Sequence, residues 1–446
     1  MFIPHTTEEI ASMLNAIGVE HVEALFNDIP DKIKTNSLDL PTPLTEMEAM
    51  DHLSEIASAN ETTKDLLCFL GAGYYNHYVP AIVDSVLTNG SFYSAYTPYQ
   101  PEISQGTLQA IYEYQSLICA LTGMEASNAS HYDGGTAAAE AVIMAYYHFR
   151  QKRSKVYLSR FINPQYQEII CTYSNDLPGI SLQSFEDVEQ SISEIDNETA
   201  LIVVQYPDFL GSINDYAQLT VAAHKQGALV CAITNPTALA LLTPPSAWGA
   251  DIVVGEGQPL GIPMSFGGPG LGFFATNKKL IRKIAGRIAG ETIDADGNRG
   301  YVLTLTAREQ HIRRERATSN ICTNQGLLAL AATVYLSAVG KTGFMQIANL
   351  CYQNAHYAAD QIEKIDGYTL FSKQPFFHEF VVSCPKPVAE INQHLLEHNI
   401  IGGYDLTDFL PEVKNPMLIA FTELNDRAQI DFLIRTLAEE QYHDHA

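Results

Sequence analysis

Residues 251–270 read DIVVGEGQPLGIPMSFGGPG. Ile252 to Val254 form a short unbroken apolar run, and Gly267, Gly268, Pro269 and Gly270 close the stretch before a second apolar run, Leu271 to Ala275. Short apolar runs bounded by turn residues fit strands buried on both faces, and the Gly-Pro run taken alone is a turn. The pattern repeats outward. Val156 to Leu158, Leu201 to Val204 and Ala228 to Ile233 are equally short and apolar, and a helical stretch from about Tyr216 to Lys225, ended by Gly227, separates the last two. Upstream, Gln105 to Thr122 puts Leu108, Ile111, Gln115, Ile118 and Thr122 on one helical face, with Gly123 to stop it. A second helix runs from about Thr136 to Arg150. Strands interleaved with helices predict a doubly wound, mostly parallel α/β sheet over residues 66–305.

The flanks differ in character. Residues 1–65 are short acidic helical pieces broken by a proline-bearing stretch from Asn36 to Pro43, which predicts an N-terminal docking arm. Residues 306–341 are helical and charge-laced, a connecting segment. Residues 342–446 alternate helix (Met345 to Ile365), strand (His378 to Ser383), helix (Ala389 to Glu397) and strand (Met417 to Phe421), a smaller C-terminal α+β domain. The tail QYHDHA is too short to be a metal site.

Composition narrows the function. Fifty-one acidic against 26 basic side chains give a formal charge of -25, which disfavours nucleic acid, because binding a phosphate backbone relies on clustered Lys and Arg. The start MFIPHTTEEIASML lacks a basic then apolar leader, and no stretch approaches 18 uninterrupted apolar residues, so a cytoplasmic protein with no membrane span is expected. Seven cysteines scatter without a C-x-x-C pair, which suggests buried reduced thiols and neither a disulfide framework nor a zinc site. Dinucleotide binding fails on its own requirement. Gly71 and Gly73 are followed by Asn76, and Gly255 and Gly257 by Leu260, so both candidates lack the third glycine of the fingerprint.

Four long motifs decide the family: YTPYQPEISQG from Tyr96 to Gly106, DGGTAAAEA within Ala126 to Ala141, residues 251–270, and TAREQHIRRERATSNICTNQ from Thr306 to Gln325. In this order, from about Leu66 to Gly340, they closely resemble the N-terminal half of glycine decarboxylase, the P-protein of the glycine cleavage system. In some organisms that half is a separate alpha chain, and 446 residues match its length. The resemblance implies a fold-type-I PLP-transferase-like fold. It also implies a glycine dehydrogenase (aminomethyl-transferring), in which a beta subunit bearing pyridoxal phosphate decarboxylates glycine and passes the aminomethyl group to the lipoyl arm of H-protein. A heterotetramer of the two chains is expected.

The same resemblance tests whether this chain carries the cofactor. The cofactor's aldehyde must be held by a lysine amine, and the position of that lysine in the family's catalytic half is held here by Gln258; residues 226–277 contain no lysine. Ile233 stands where the catalytic half has an aspartate under the pyridine nitrogen, and an alanine run follows Gly135 and Thr136 where a phosphate cradle would be polar. No catalytic, cofactor-binding or metal residue is therefore expected in this chain itself. Its contribution would be a loop reaching the beta subunit's site, as fold-type-I enzymes build each site at a subunit interface: Tyr96, Thr97, Tyr99, Gln100, Glu102 and Gln105. Plugging the interface with aromatic residues is the structural alternative.

Two further features invite chemistry. Arg308, His311, Arg313, Arg314 and Arg316 form a basic cluster, read as a salt-bridged helix face with Glu309 four residues before Arg313, or else as a contact to the substrate carboxylate. His131 beside Asp133 is more simply a hydrogen-bonded structural histidine than an acid-base pair. A stand-alone enzyme of the aminotransferase superfamily is opposed by Gln258. A purely structural or regulatory partner differs from the subunit reading only in whether the loop reaches the cofactor.

Overall fold

Alternation along each strand assigns two faces. In Thr199–Tyr206, Leu201 and Val203 enter one core while Ile202 and Val204 enter another, and the same split separates Cys231 and Ile233 from Val230 and Ala232. A sheet buried this way needs helices on both sides. In the computed structural model, which describes residues 5–35 and 38–439, seven strands form it: β1 (Ala126–Ser127), β2 (Lys155–Ser159), β3 (Ser181–Phe185), β4 (Thr199–Tyr206), β5 (Leu229–Thr234), β6 (Ile252–Glu256) and β7 (Gly272–Thr276). Their order is β1-β7-β6-β5-β4-β2-β3, with β7 antiparallel to both of its neighbours. The fold is the α/β, fold-type-I PLP-transferase-like class that the sequence predicts.

On one face lie α1 (Gln105–Thr122) and α4 (Ala217–Lys225), whose Tyr114, Ile118, Leu219 and Ala223 pack on Val204, Val230 and Phe273. On the other lie α2 (Gly134–His148) and α3 (Pro164–Ser174), whose Ala138, Val142 and Ile170 pack on Val203, Ile233 and Val254. The alanines of α2 have a packing reason, since small side chains let the helix lie close on the sheet. A hairpin of β8 (Ile288–Ile293) and β9 (Arg299–Thr304) follows. A separate four-stranded sheet, β10 (Thr369–Leu370), β11 (Glu379–Ser383), β12 (Tyr404–Asp405) and β13 (Pro416–Ala420), encloses the C-terminal core with helices Val388–Glu397 and Arg427–Glu439.

The connecting segment departs from expectation. Residues 306–316 form single turns, and α5 then runs from Gly326 to Ile362 as two helices joined at a kink where Gly340 takes φ 61°, next to the expected boundary at 341/342. By length and composition α5 could cross a membrane. Its Ala331, Ala332 and Tyr335 nevertheless belong to the core beneath the sheet.

Residues 1–61 make a compact unit apart from 62–446. Its helices Thr7–Ile17 and Glu46–Ser58 each start with a capping box, Thr6 with Glu9 and Thr45 with Glu48. Neither helix buries a residue, and Ile17, Met47, Met50 and Leu53 are exposed. Asn36 and Ser37, where the proline-bearing stretch begins, and the tail QYHDHA lie outside the described residues.

Gly123 ends α1 in the left-handed region (φ 71°), and a Cβ there would run into the Ser246 hydroxyl. Gly123→Ala should therefore destabilise the fold by about 1–3 kcal/mol, measured as a lower midpoint in urea unfolding than the parent chain shows.

Candidate functional site

Strand β6 carries a carboxylate, Glu256, into a site that is almost dry. Its oxygens accept three backbone N–H bonds, from Leu271 (2.7 Å), Gly134 (2.9 Å) and Gln258 (3.0 Å). One buried side chain thus ties the end of β6, the start of α2 and the entry to β7. Burial, the largest influence, and the nearby Asp133 charge push its pKa up to about 7 against those three donors. Asp133 itself caps α2, accepting from the Thr136 N–H at 2.7 Å.

Gln258, at the position matched to the cofactor lysine, is fully buried. Its amide Nε2 donates to the carbonyls of Tyr75 (2.9 Å) and Ile262 (2.8 Å), and its Oε1 accepts from the Tyr75 N–H (3.0 Å). The amide is spent on the backbone. Beside it, a cavity of only about 40 Å³ is lined by Tyr75, Tyr166, Ile233, Asn235 and Glu256 among others, against several hundred Å³ for a typical cofactor pocket. The Tyr166 hydroxyl stands over Gly134, where any Cβ would meet it. Pyridoxal phosphate does not fit this cleft: no amine is present for its aldehyde, the free helix N–H of Gly134 already binds an internal anion, and the space is filled.

The loop before α1 is open by contrast. Tyr96 is 74% exposed and Tyr99 45%, with Gln100 and Glu102 also exposed. The rings of Tyr96 and Tyr99 meet edge-on at 6.0 Å, and Tyr99 meets His311 at 5.9 Å. The other two residues of the set are placed differently, Gln105 being exposed but tied to the backbone. Thr97 is buried, and Gln105 exchanges hydrogen bonds with the backbone of Tyr301 on β9 (2.8 and 2.9 Å) while donating to the Pro101 carbonyl (2.7 Å). Gln105 holds the loop in place.

Sequence reasoning missed Arg287. Buried to 3% exposure, its Nη2 donates to the Tyr99 hydroxyl at 2.6 Å, its guanidinium lies 5.2 Å from that ring's centroid, and its Nε is 3.3 Å from Glu309. This corrects the reading of the basic cluster. Gln310–Arg313 is one turn, with Glu309 extended before it, so the Glu309–Arg313 helix pair does not form; Glu309 bridges Arg287 and His311 (3.5 Å). An arginine in the apolar strand sequence around Ile288 was the available signal. Glu256, the acid that ends an apolar strand, was another.

The remaining candidates resolve into structure. His131 packs on Phe274 at 5.1 Å, and burial drives its pKa down to about 3, so it stays neutral and does not pair with Asp133. Among the described residues, which include all seven cysteines, no disulfide forms; four of the cysteines are buried, while Cys171 and Cys322 are exposed, contrary to the expected uniform burial. The donor atoms of His77, Cys351 and Glu423 lie within 4.8 Å of one another, a grouping that spacing did not suggest. They are knit by their own bonds: His77 Nδ1 to Glu423 at 2.7 Å and the Cys351 thiol to the same carboxylate at 3.5 Å.

Because Glu256 has a folded pKa near 7 and an ordinary unfolded one near 4.5, its contribution to stability is complete below about pH 4.5 and is lost as pH rises through about 7. Stability measured for the parent minus that for Glu256→Gln should therefore fall between pH 5 and pH 8, by on the order of 3 kcal/mol. A difference that is flat or rises with pH contradicts the assigned shift.

Comparison with known proteins bears on this geometry. The family model described as glycine cleavage system P-protein matches residues 1–437. The chain is similar to a probable glycine dehydrogenase (decarboxylating) subunit 1 of Thermomicrobium roseum, 50% identical over 98% of this chain and 99% of the relative. A protein of the same description from Desulforamulus reducens is 49% identical over the same shares. A crystal structure of glycine decarboxylase (P-protein) of the glycine cleavage system in inhibitor-bound form superposes with a TM-score of 0.91 at 40% identity, covering 98% of this chain and 99% of that one. The Lactobacillus brevis glutamate decarboxylase structure, at 12% identity and TM-score 0.70, covers 95% of this chain and 98% of its own; it shares the fold alone. The full-length family match, the subunit 1 relatives and the shared architecture agree: the chain belongs to the glycine cleavage system P-protein family.

Proposed function

We propose that this chain is the alpha subunit of a cytoplasmic two-chain glycine decarboxylase, assembled as a heterotetramer, with pyridoxal phosphate in the partner beta subunit. The bound cofactor would supply the electron sink for decarboxylation of glycine, whose aminomethyl group then passes to the lipoyl arm of H-protein. The observation that carries the division of labour is Gln258. Its amide is committed to the backbone of Tyr75 and Ile262 in a cleft closed by Glu256, while the family to which the chain belongs uses PLP. Cysteines without disulfides among the described residues support a reducing compartment, and the exposed apolar side chains of residues 1–61 support an arm that docks on another chain.

What this chain offers the partner is the loop. Tyr96, Tyr99, Gln100 and Glu102 stand exposed, whereas Gln105 anchors the loop to β9. Tyr99 is the best equipped: its oxygen accepts from the Arg287 guanidinium, and its own proton is left to donate. A hydroxyl so polarised suits binding of a carboxylate or an oxygen that gains negative charge. Thr97 is buried with its Oγ1 unpartnered, consistent with a role in shaping the loop.

The competing reading, a structural or regulatory partner that touches no substrate, is favoured by the exposed aromatic pair Tyr96 and Tyr99, which would suit an interface plug. Tyr99→Phe separates the two, because it removes one hydroxyl and almost no packing area. The alpha-subunit reading expects at least about a tenfold loss of glycine decarboxylation in fully assembled complex, with subunit affinity unchanged. A weaker complex whose assembled fraction turns over normally would put the loop in the scaffold.

A further inference from the structure

Residues 282–286 and 306–321 enclose a concave pocket of about 170 Å³. Arg282, Lys283, Arg308, Arg313 and Arg316 line it, against a single carboxylate, Glu309. That carboxylate is already committed to Arg287 and His311 at 3.3 and 3.5 Å. Among the described residues, no carboxylate lies within ion-pair distance of Arg282, Lys283, Arg308 or Arg313, and Arg316 has only a loose, exposed contact with Glu315 at 3.8 Å. The chain holds 26 basic residues against 51 acidic ones, so five cations in one hollow, with the loose Arg316–Glu315 contact as their one ion pair among the described residues, are a marked departure from this composition.

The pocket is also partly built. Arg308 is half-buried, and two of its nitrogens are fixed: Nε donates to the Leu305 carbonyl and Nη2 to the Gly286 carbonyl, each at 2.9 Å. These bonds set the plane of the guanidinium, while Nη1 is buried without a partner. Burial lowers the pKa of this guanidinium, against the smaller opposing pull of the Glu309 charge. Like charges crowded in this way repel one another and are relieved by an anion.

We propose that this pocket binds a phosphate-class dianion, either inorganic phosphate or the phosphate of a small monoester. Arginine forks match the tetrahedral oxygens of phosphate, and two negative charges answer several cations better than one carboxylate does. The volume accommodates a phosphate group and is below the usual range for a larger organic ligand. Glycine is a poor occupant, because its ammonium group would sit among five cations beside a carboxylate already taken.

The test is calorimetric titration of the full chain with sodium phosphate and with methyl phosphate, at ionic strength held constant with sodium chloride. One saturable site is expected. Arg308→Gln should weaken it at least about tenfold, the loss of one charge-assisted contact. Because Arg308 also braces the backbone, Arg282→Gln, at an exposed position of the pocket wall, provides a second variant with the same expectation, and Lys225→Gln on the remote helix α4 should leave binding unchanged. Tighter binding of methyl phosphate points to a phosphorylated metabolite, and tighter binding of phosphate to the free ion. Absence of a saturable site, binding by either arginine variant as tight as that of the parent chain, or competition by glycine would overturn the proposal. All of these readouts use this chain alone, so they succeed or fail independently of the partner-subunit reading.

Discussion

The buried carboxylate of Glu256 organises the centre of the large domain. Three backbone N–H groups from three separate segments converge on it, so the start of α2, the end of β6 and the entry to β7 are fixed relative to one another through one side chain. A helix N-terminus in this fold is a natural anion site. Here the protein supplies the anion. With that position filled from within, Tyr166 can close over Gly134, and Gln258 can bond to the backbone of Tyr75 and Ile262. A cleft suited to chemistry becomes part of the core.

This arrangement separates what the family fold retains from what this chain has given up. The parallel sheet, its helices on both faces and the C-terminal sheet persist, because they rest on apolar packing in which Ile233 and Val254 serve as well as any polar substitute. Losing a covalent anchor and an opposing charge leaves packing intact provided that each buried polar group finds a partner. Gln258 meets that condition through both ends of its amide. The outward-facing loop is under different constraints. Arg287, buried beneath Tyr99 and paired with Glu309, keeps a hydroxyl and a ring at the surface instead of folding them inward.

Much of this was legible in the sequence because it depends on local rules. Short apolar runs gave the strands, period-3.6 patterning gave Gln105–Thr122 to the residue, and Gly123 marked its stop. The resemblance to the family, followed residue by residue, raised the glutamine at 258 in place of a lysine. Three things stayed hidden because they are long-range. The Glu309–Arg287 pairing joins residues that no helical spacing relates, and the Glu256 contacts reach Gly134 across the sheet. The anchoring of Gln105 to β9 and the burial of Thr97 likewise follow from partners distant in sequence, and no motif shows them.

The central claim is that the cofactor belongs to the partner chain because this chain's own cleft is closed. Its most direct test is borohydride trapping of the purified two-chain complex loaded with pyridoxal phosphate, followed by mass mapping of peptides from both chains. The account predicts one trapped cofactor for each pair of chains, attached to a lysine of the partner, with every lysine of this chain unmodified. Stoichiometric attachment to any lysine of this chain would contradict it.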